Sequence, residues 1–445
     1  MGFKPHPLIY RLALIGAFCT VSASIWLSHI YGQNLFSDSL HFGNLVILQF
    51  SVLAACMFGA WWSAPESAGA NTFASVRTLL MVGIACRLIL LPLEHYTSND
   101  MDRYLFDGKI ALSGMDPYSI NHNAPELAHL KEQWAPPEEH TQYPTLYPPA
   151  ALGLFTLAAA ADANLAPLAW KGLATAAGIL TLIIMAYLLQ ALGKLRHLPL
   201  IALSPILILE TGIGVHVDAY SALFVAAALY AYHRHSLRLT GVFIGLATLV
   251  KLLPILLLAP LVLGQKSLRS ALTLGTSALV IILLGYSATF ALGLIPIGSI
   301  GTLFEKWRFG SPLFSLLAAS LPGMQQTLVV SLIALAGLAI IAYRALRLPT
   351  SITLDSPLLI ASMALILVLS PVIFPWYLMA LVPMAAVAPR PFLLVWLCTL
   401  PFTYEVLGAF YAQGDWQPAQ WPLLLIGLGF ATAAVWEWQL RETPR

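Results

Sequence analysis

The sequence predicts an all-α protein: a polytopic bundle of roughly twelve to fourteen transmembrane helices, with an outward-facing acidic loop that contains amphipathic interfacial helices. Three observations lead there. Of 445 residues, 59% are hydrophobic and only 9% charged, and the mean hydropathy is +0.80, whereas soluble domains are roughly 45–50% apolar. Apolar runs of about twenty residues recur from end to end, the length that crosses a ~30 Å hydrocarbon core as a helix. The charges are also sorted, with basic residues in short connections and nine of the 20 acidic residues between positions 94 and 146.

These features exclude a water-soluble protein. The formal charge of +2 carries no signal for a nucleic-acid partner. Cys19, Cys56, Cys86 and Cys398 stand singly in apolar segments, so neither a disulfide framework nor a zinc site is indicated. The first apolar run lacks a small-residue cleavage site and reads as a span, not as a removed signal peptide.

Taken in order, spans are expected at 8–30, 43–62, 78–95, 168–193, 199–215, 217–233, 241–263, 271–295, 325–343, 357–373, 376–389, 391–411 and 421–438. The chain then divides into N-terminal helices (1–95), a loop region (96–163) and a larger helical region (164–445). Basic loops at Lys4/Arg11, Arg77, Lys194/Arg196, Arg234/Arg238, Lys266/Arg269, Arg344/Arg347, Arg390 and Arg441/Arg445 belong on the cytoplasmic side. The acidic segment after Leu91 then falls outside. Two segments break the simple alternation. A crossing at Tyr147–Ala163 would put the Lys194/Arg196 loop on the wrong side, so this segment is expected to lie at the outer interface, opened by Pro148 and Pro149. Residues 241–263 have basic clusters on both flanks and should cross an even number of times, with Lys251 and Pro254 supplying the break of a hairpin.

Within the acidic loop, Asp100, Arg103, Tyr104 and Asp107 follow a helical spacing and form one polar stripe, while Met101, Leu105 and Leu112 lean to another side, as in a helix lying on a membrane surface. Gly114 and Asp116-Pro117 end it. Asp102 lies about 200° around the helix from Asp100. If Asn99 caps the helix, Asp102 sits where an acidic side chain faces exposed amides. Capping and catalysis therefore both remain open for Asp102, as do a solvated charge and catalysis for Asp100.

The stretch Asp100-Met101-Asp102-Arg103-Tyr104, with Phe106-Asp107-Gly108 and Gly114-Met115-Asp116-Pro117-Tyr118, resembles the signature loop of GT-C superfamily glycosyltransferases, and most closely that of bacterial polyprenyl-phosphate-mannose-dependent mannosyltransferases. The resemblance continues through Tyr147-Pro148-Pro149, Gly214-Val215-His216-Val217-Asp218-Ala219, Leu249-Val250-Lys251, Trp307-Arg308-Phe309, Ser370-Pro371 and Pro375-Trp376-Tyr377. It implies a GT-C bundle in a bacterial inner membrane with its active site facing the periplasm. It implies a polyprenyl-phosphate sugar donor, with mannose favoured, and a glycan or lipid acceptor. It also implies catalytic Asp100 and Asp102, and substrate contacts from Arg103, Tyr104, Asp107, His216, Asp218, Lys251, Arg308 and Tyr377. Phe374 departs from the pattern, since relatives often carry His there.

Ionisable groups at membrane depth face a cavity or a partner. Lys251 reads either as a snorkelling residue or as a phosphate ligand at the hairpin tip, and its replacement by Met is expected to leave the chain folded while weakening donor binding. Arg308 reads as a phosphate fork or a headgroup contact, and Asp218 as a ligand or a helix cap. Trp376 and Tyr377 match interfacial anchors by type. Glu210 and Arg87 lie in apolar runs with no partner evident in the sequence. Displacing a lipid phosphate from C1 requires a base, for which Asp100 is preferred, and positive charge on the departing phosphate, from Lys251 and Arg308. One base without a covalent step implies inversion. A divalent cation between Asp100 and Asp102 stays open. No Gly-rich nucleotide fingerprint and no nucleophile elbow is present. The competing readings are a lipid-linked sugar transporter or flippase and a lipid-diphosphate-dependent ligase or polymerase.

Overall fold

A computed structural model describes residues 6–32, 41–64, 70–131, 136–321 and 323–442. Lys4 and Arg445 lie outside the described residues. The described residues form helices joined by turns and irregular connections, with no strand and one isolated bridge between Phe309 and Val372. Among the described residues, seven helices are long and apolar enough to cross a membrane, and further apolar helices are shorter. The third expected span is shifted, because its helix runs Ala70–Leu90 and ends before residue 95.

Hydrogen bonds between distant connections sort the turns into two ends. At one end the basic turns meet: Lys194 Nζ donates to the Val387 carbonyl at 3.0 Å, Arg390 to Asp355 O at 3.3 Å, and Lys266 to Leu348 O. At the other end lie the acidic loop and the connections that touch it. Ile295 N–H donates to Asp116 Oδ2 (3.1 Å), and Ser299 donates from its amide to Thr145 O and from its hydroxyl to Pro144 O. This separation agrees with the alternation expected from the basic loops.

The two irregular segments behave as the charge count requires. Pro149–Ala159 is an 11-residue helix, too short to span at 1.5 Å per residue. Residues 237–263 run from the basic end to Lys251 and back. The helix Leu237–Val250 stops at Lys251, a 3-10 turn Leu253–Leu257 follows, and Gln265 returns to hydrogen-bond the Tyr232 hydroxyl at 3.1 Å. Arg87 gains its partners from a third break. Pro205 has no N–H to offer the carbonyl four residues earlier, and the Arg87 guanidinium takes up the freed Ile201 and Ala202 carbonyls at 3.1 Å each.

The Asp100–Leu112 helix does not lie on a surface. Met101, Tyr104 and Leu105 pack with Tyr147, Leu152, Phe155 and Trp170, and Phe106 and Ile110 pack with Leu127 on another side. Gly108 allows this enclosure, since a Cβ there would stand 2.5 Å from the Phe155 carbonyl oxygen. Tyr104 stacks flat on Phe155, with centroids 4.5 Å apart. The hydrophobic face thus meets a second helix instead of lipid, and only Leu112 at its end is exposed.

Candidate active site

A cavity of about 1160 Å³ opens where the acidic loop meets the hairpin tip. Asp100, Arg103, His140, Asp218, Lys251 and Arg308 line its polar part. Leu252, Ile255, Leu256, Met324 and Val330 line an aliphatic flank, and Trp307, Phe374, Trp376, Phe410, Tyr411 and Trp416 an aromatic one.

Asp100 opens its helix after Ser98, whose hydroxyl accepts the Asp100 N–H at 3.1 Å. Its carboxylate receives the Tyr104 hydroxyl at 3.4 Å, and Tyr147 donates in turn to Tyr104. Two imidazoles flank it: His140 Nε2 is 3.8 Å from Oδ1, and His216 Nδ1 is 3.6 Å from Oδ2. Burial raises the Asp100 pKa, against the lowering influence of Arg103 and Lys251. Burial also holds His140 well below its usual value, with the Arg103 charge acting in the same direction. The site therefore favours neutral His140 and a carboxylate of increased basicity.

Asp102 is turned away. It does not line the cavity, is 38% exposed and stands 3.5 Å from His95. Asn99 occupies the cap position, but its side chain makes no capping bond and donates instead to Glu139 Oε1 at 2.6 Å. The two carboxylates of the Asp-Met-Asp stretch are therefore not presented together. Asp107, two turns along, is fully buried 2.7 Å from His122 Nε2 and also lies off the cavity. Arg103 reaches the Pro144 carbonyl at 3.3 Å, while Tyr104 supports Asp100 from behind.

The Gly214–Asp218 turn is folded around its own strain. Val215 has φ 56°, a conformation that β-branched residues rarely adopt, and the Trp170 indole holds its carbonyl at 2.8 Å. Gly214 is needed because a Cβ would stand 2.4 Å from Glu210 Oε2. The turn delivers His216 into a fully buried slot, stacked on Trp376 at 3.8 Å. It also aims Asp218 at Lys251 Nζ, 2.6 and 2.8 Å from the two carboxylate oxygens. Asp218 is thus an ion-pair partner and not a cap.

Lys251 lies 3.9 Å over the Tyr377 ring. Trp376 and Tyr377, which match interfacial anchors by type, face inward onto the cavity. Arg308 is exposed at the rim, bonded to the Phe304 and Trp307 carbonyls and placed over Phe314. Its loop is fixed by Phe309, which exchanges backbone bonds with Pro371 and Ile373 at 3.0 and 2.8 Å. Gly310, at φ 68°, fits there because a Cβ would meet the Ile373 carbonyl. Phe374 stacks on Trp376 at 4.4 Å.

Sequence reasoning missed His140, which sits in a polar loop with no motif around it. It also left Glu210 without a partner. Glu210 accepts the Tyr404 hydroxyl at 2.5 Å and faces His216 Nε2 at 3.3 Å.

A helical bundle with seven membrane-length apolar helices among the described residues, holding Asp100, Lys251 and Arg308 around one cavity, has the character of an integral membrane protein with a polar site. Residues 8–265, more than half of the chain, match the MptA_B family, described as alpha-(1->6)-mannopyranosyltransferase, N-terminal domain. The chain belongs to that family and is a membrane mannosyltransferase, in agreement with the GT-C resemblance of its loop. No curated protein and no solved structure matches it.

Proposed function

We propose that the protein transfers mannose, with inversion at C1, from a polyprenyl-phosphate donor to a glycan on the outer face of a bacterial inner membrane. The observation that carries this reading is the composition of the cavity around Asp100 and Lys251. Its polar centre joins a basic carboxylate to Arg103, Lys251 and Arg308, and its aliphatic flank reaches the helix Gly323–Leu346, whose Met324, Leu328 and Leu332 are exposed where lipid would be. A lipid chain fits the aliphatic flank, and stacked aromatic rings suit sugar faces. Asp100 would take the proton from the acceptor hydroxyl, while Lys251 and Arg308 receive the charge that gathers on the leaving phosphate. In this reading residues 96–163 form the catalytic loop, and the surrounding helices bind the donor.

The test is transfer by the purified protein in lipid nanodiscs from synthetic polyprenyl-phosphate [14C]mannose to a mannan oligosaccharide. Labelled, elongated glycan of α configuration from a β-linked donor is expected. Transfer from GDP-mannose alone, or movement of the lipid-linked sugar across the bilayer without a new glycosidic bond, would replace this reading.

A further inference from the structure

Resting on Asp100 as the base, we propose that His216 and Glu210 form a buried proton reservoir behind it, which takes up the acceptor's proton during transfer and returns it afterwards. The three groups lie in line. His216 presents Nδ1 to Asp100 Oδ2 at 3.6 Å and Nε2 to Glu210 Oε2 at 3.3 Å. The His216 and Glu210 side chains are fully buried, and His216 Nδ1 and Nε2 and Glu210 Oε2 have no hydrogen bond. Buried polar atoms without partners are rare and costly, and these face one another across gaps that a single proton would close.

Proton counting explains the arrangement. In the proposed scheme neutral His216 carries its proton on Nε2, directed at an ionised Glu210, so that its lone pair is turned towards Asp100. Before transfer, that lone pair and the ionised carboxylate repel. During transfer the acceptor O–H bond breaks, the acceptor oxygen bonds to C1, and the C1–O bond breaks with its electron pair leaving on the phosphate. In this scheme the proton reaches Asp100 and moves on to Nδ1, giving an imidazolium between the ionised carboxylates of Asp100 and Glu210. When the products leave, the proton returns through Asp100 to the cavity. The other groups acting on Asp100 are Tyr104 and Arg103 from its own helix, His140 from the loop, and Lys251 and Asp218 from the hairpin and turn. Lys251 is matched by Asp218. Tyr404 fixes Glu210 through its other oxygen, leaving Oε2 to face the imidazole. The stack of Trp376 on His216 holds the ring plane. His216 and Glu210 do not line the cavity, so they act through Asp100 as positioning residues.

The experiment compares pH profiles of kcat and kcat/KM for wild type, Asp100→Asn and Glu210→Gln in nanodiscs. An inactive wild type, or a fully active Asp100→Asn, would defeat the donor or base reading itself. With that reading intact, Glu210→Gln keeps an acceptor for Tyr404 but removes the second carboxylate. We expect kcat to fall by about tenfold or more, an unchanged donor KM and a displaced acid limb. A wild-type acid limb with a wild-type kcat overturns the proposal. So does a fall in kcat that tracks a lower melting temperature while the limb stays in place. If Glu210→Gln does not fold, His216→Gln gives the same readout, and an unmoved acid limb with retained kcat overturns the proposal there too.

Discussion

Lys251 Nζ is held by both carboxylate oxygens of Asp218, at 2.6 and 2.8 Å. The lysine that breaks an apolar run is therefore already neutralised in the resting site. This changes the outcome expected for Lys251→Met. The substitution strands Asp218, which is only 4% exposed, and removing one partner of such a pair costs about 3 kcal/mol, the lower end of the range for buried pairs. Thermal unfolding should show a lowered melting temperature for Lys251→Met, recovered in Lys251→Met/Asp218→Asn. Donor binding should be lost in both. A single variant as stable as wild type would mean that the pair contributes nothing to the fold.

Asp100 and Asp102 are separated by their directions. Asp100→Asn should lower turnover by about 10² or more, whereas Asp102→Asn, altering a group that faces His95 away from the cavity, should stay within a few-fold. Equal and complete loss in the two would bring back a site shared by both carboxylates.

The raised pKa of Asp100 also has a sign in stability. A carboxyl whose folded pKa lies above its unfolded value binds the proton more tightly in the folded state, so its ionisation costs stability as pH rises through the folded value. Asp100→Asn should therefore melt higher than wild type at neutral pH. The difference should shrink as pH falls towards the ordinary carboxylate range. A difference that grows on acidification would reverse the assignment.

The packing of the acidic loop gives a sharper test than its charges. Gly108→Ala places a Cβ 2.5 Å from Phe155 O, while Gly153→Ala meets nothing within 4 Å. The first should lose activity and thermal stability together, and the second neither. An active, stable Gly108→Ala would show that the two helices can separate without consequence.

Orientation is checked by chemistry on the intact cell. Cysteine at exposed Glu126 or Glu138 should react with a membrane-impermeant thiol reagent from outside, whereas cysteine at Arg238 should react only after permeabilisation. The opposite pattern would place the loop in the cytoplasm.

Much of this protein was legible in its sequence because hydrophobic length and charge sorting are one-dimensional. The hairpin at Lys251 and the short helix after Pro148 both followed from counting which side each basic turn must occupy. The polar stripe of the acidic loop was legible as a helix, but its burial was not, because periodicity reports an apolar face without naming what covers it. Phe155 covers it, about fifty positions away. Asp107 and Asp100 share one stripe, yet two turns of rise carry them to different neighbours. His140 and the partners of Glu210 were invisible for a related reason: their contacts are made across long sequence separations, and neither residue type nor local spacing records them. Residue type alone matched Trp376 and Tyr377 to interfacial anchors, while the family resemblance placed Tyr377 at the substrate; both line the cavity, because a belt residue and a cavity residue look alike until the turn at Ser370-Pro371 is placed.

Pro144 has one carbonyl oxygen and two claimants. Arg103, in the wall beside Asp100, reaches it at 3.3 Å, and the Ser299 hydroxyl, in the strap that leads to Trp307 and Arg308, reaches it at 2.7 Å. The strap and the wall therefore share one anchor. A lipid phosphate that draws Arg308 inward would pull on the same oxygen that sets the Arg103 guanidinium. On the proposed reading, occupancy at Arg308 would then be felt beside Asp100 through one shared carbonyl oxygen.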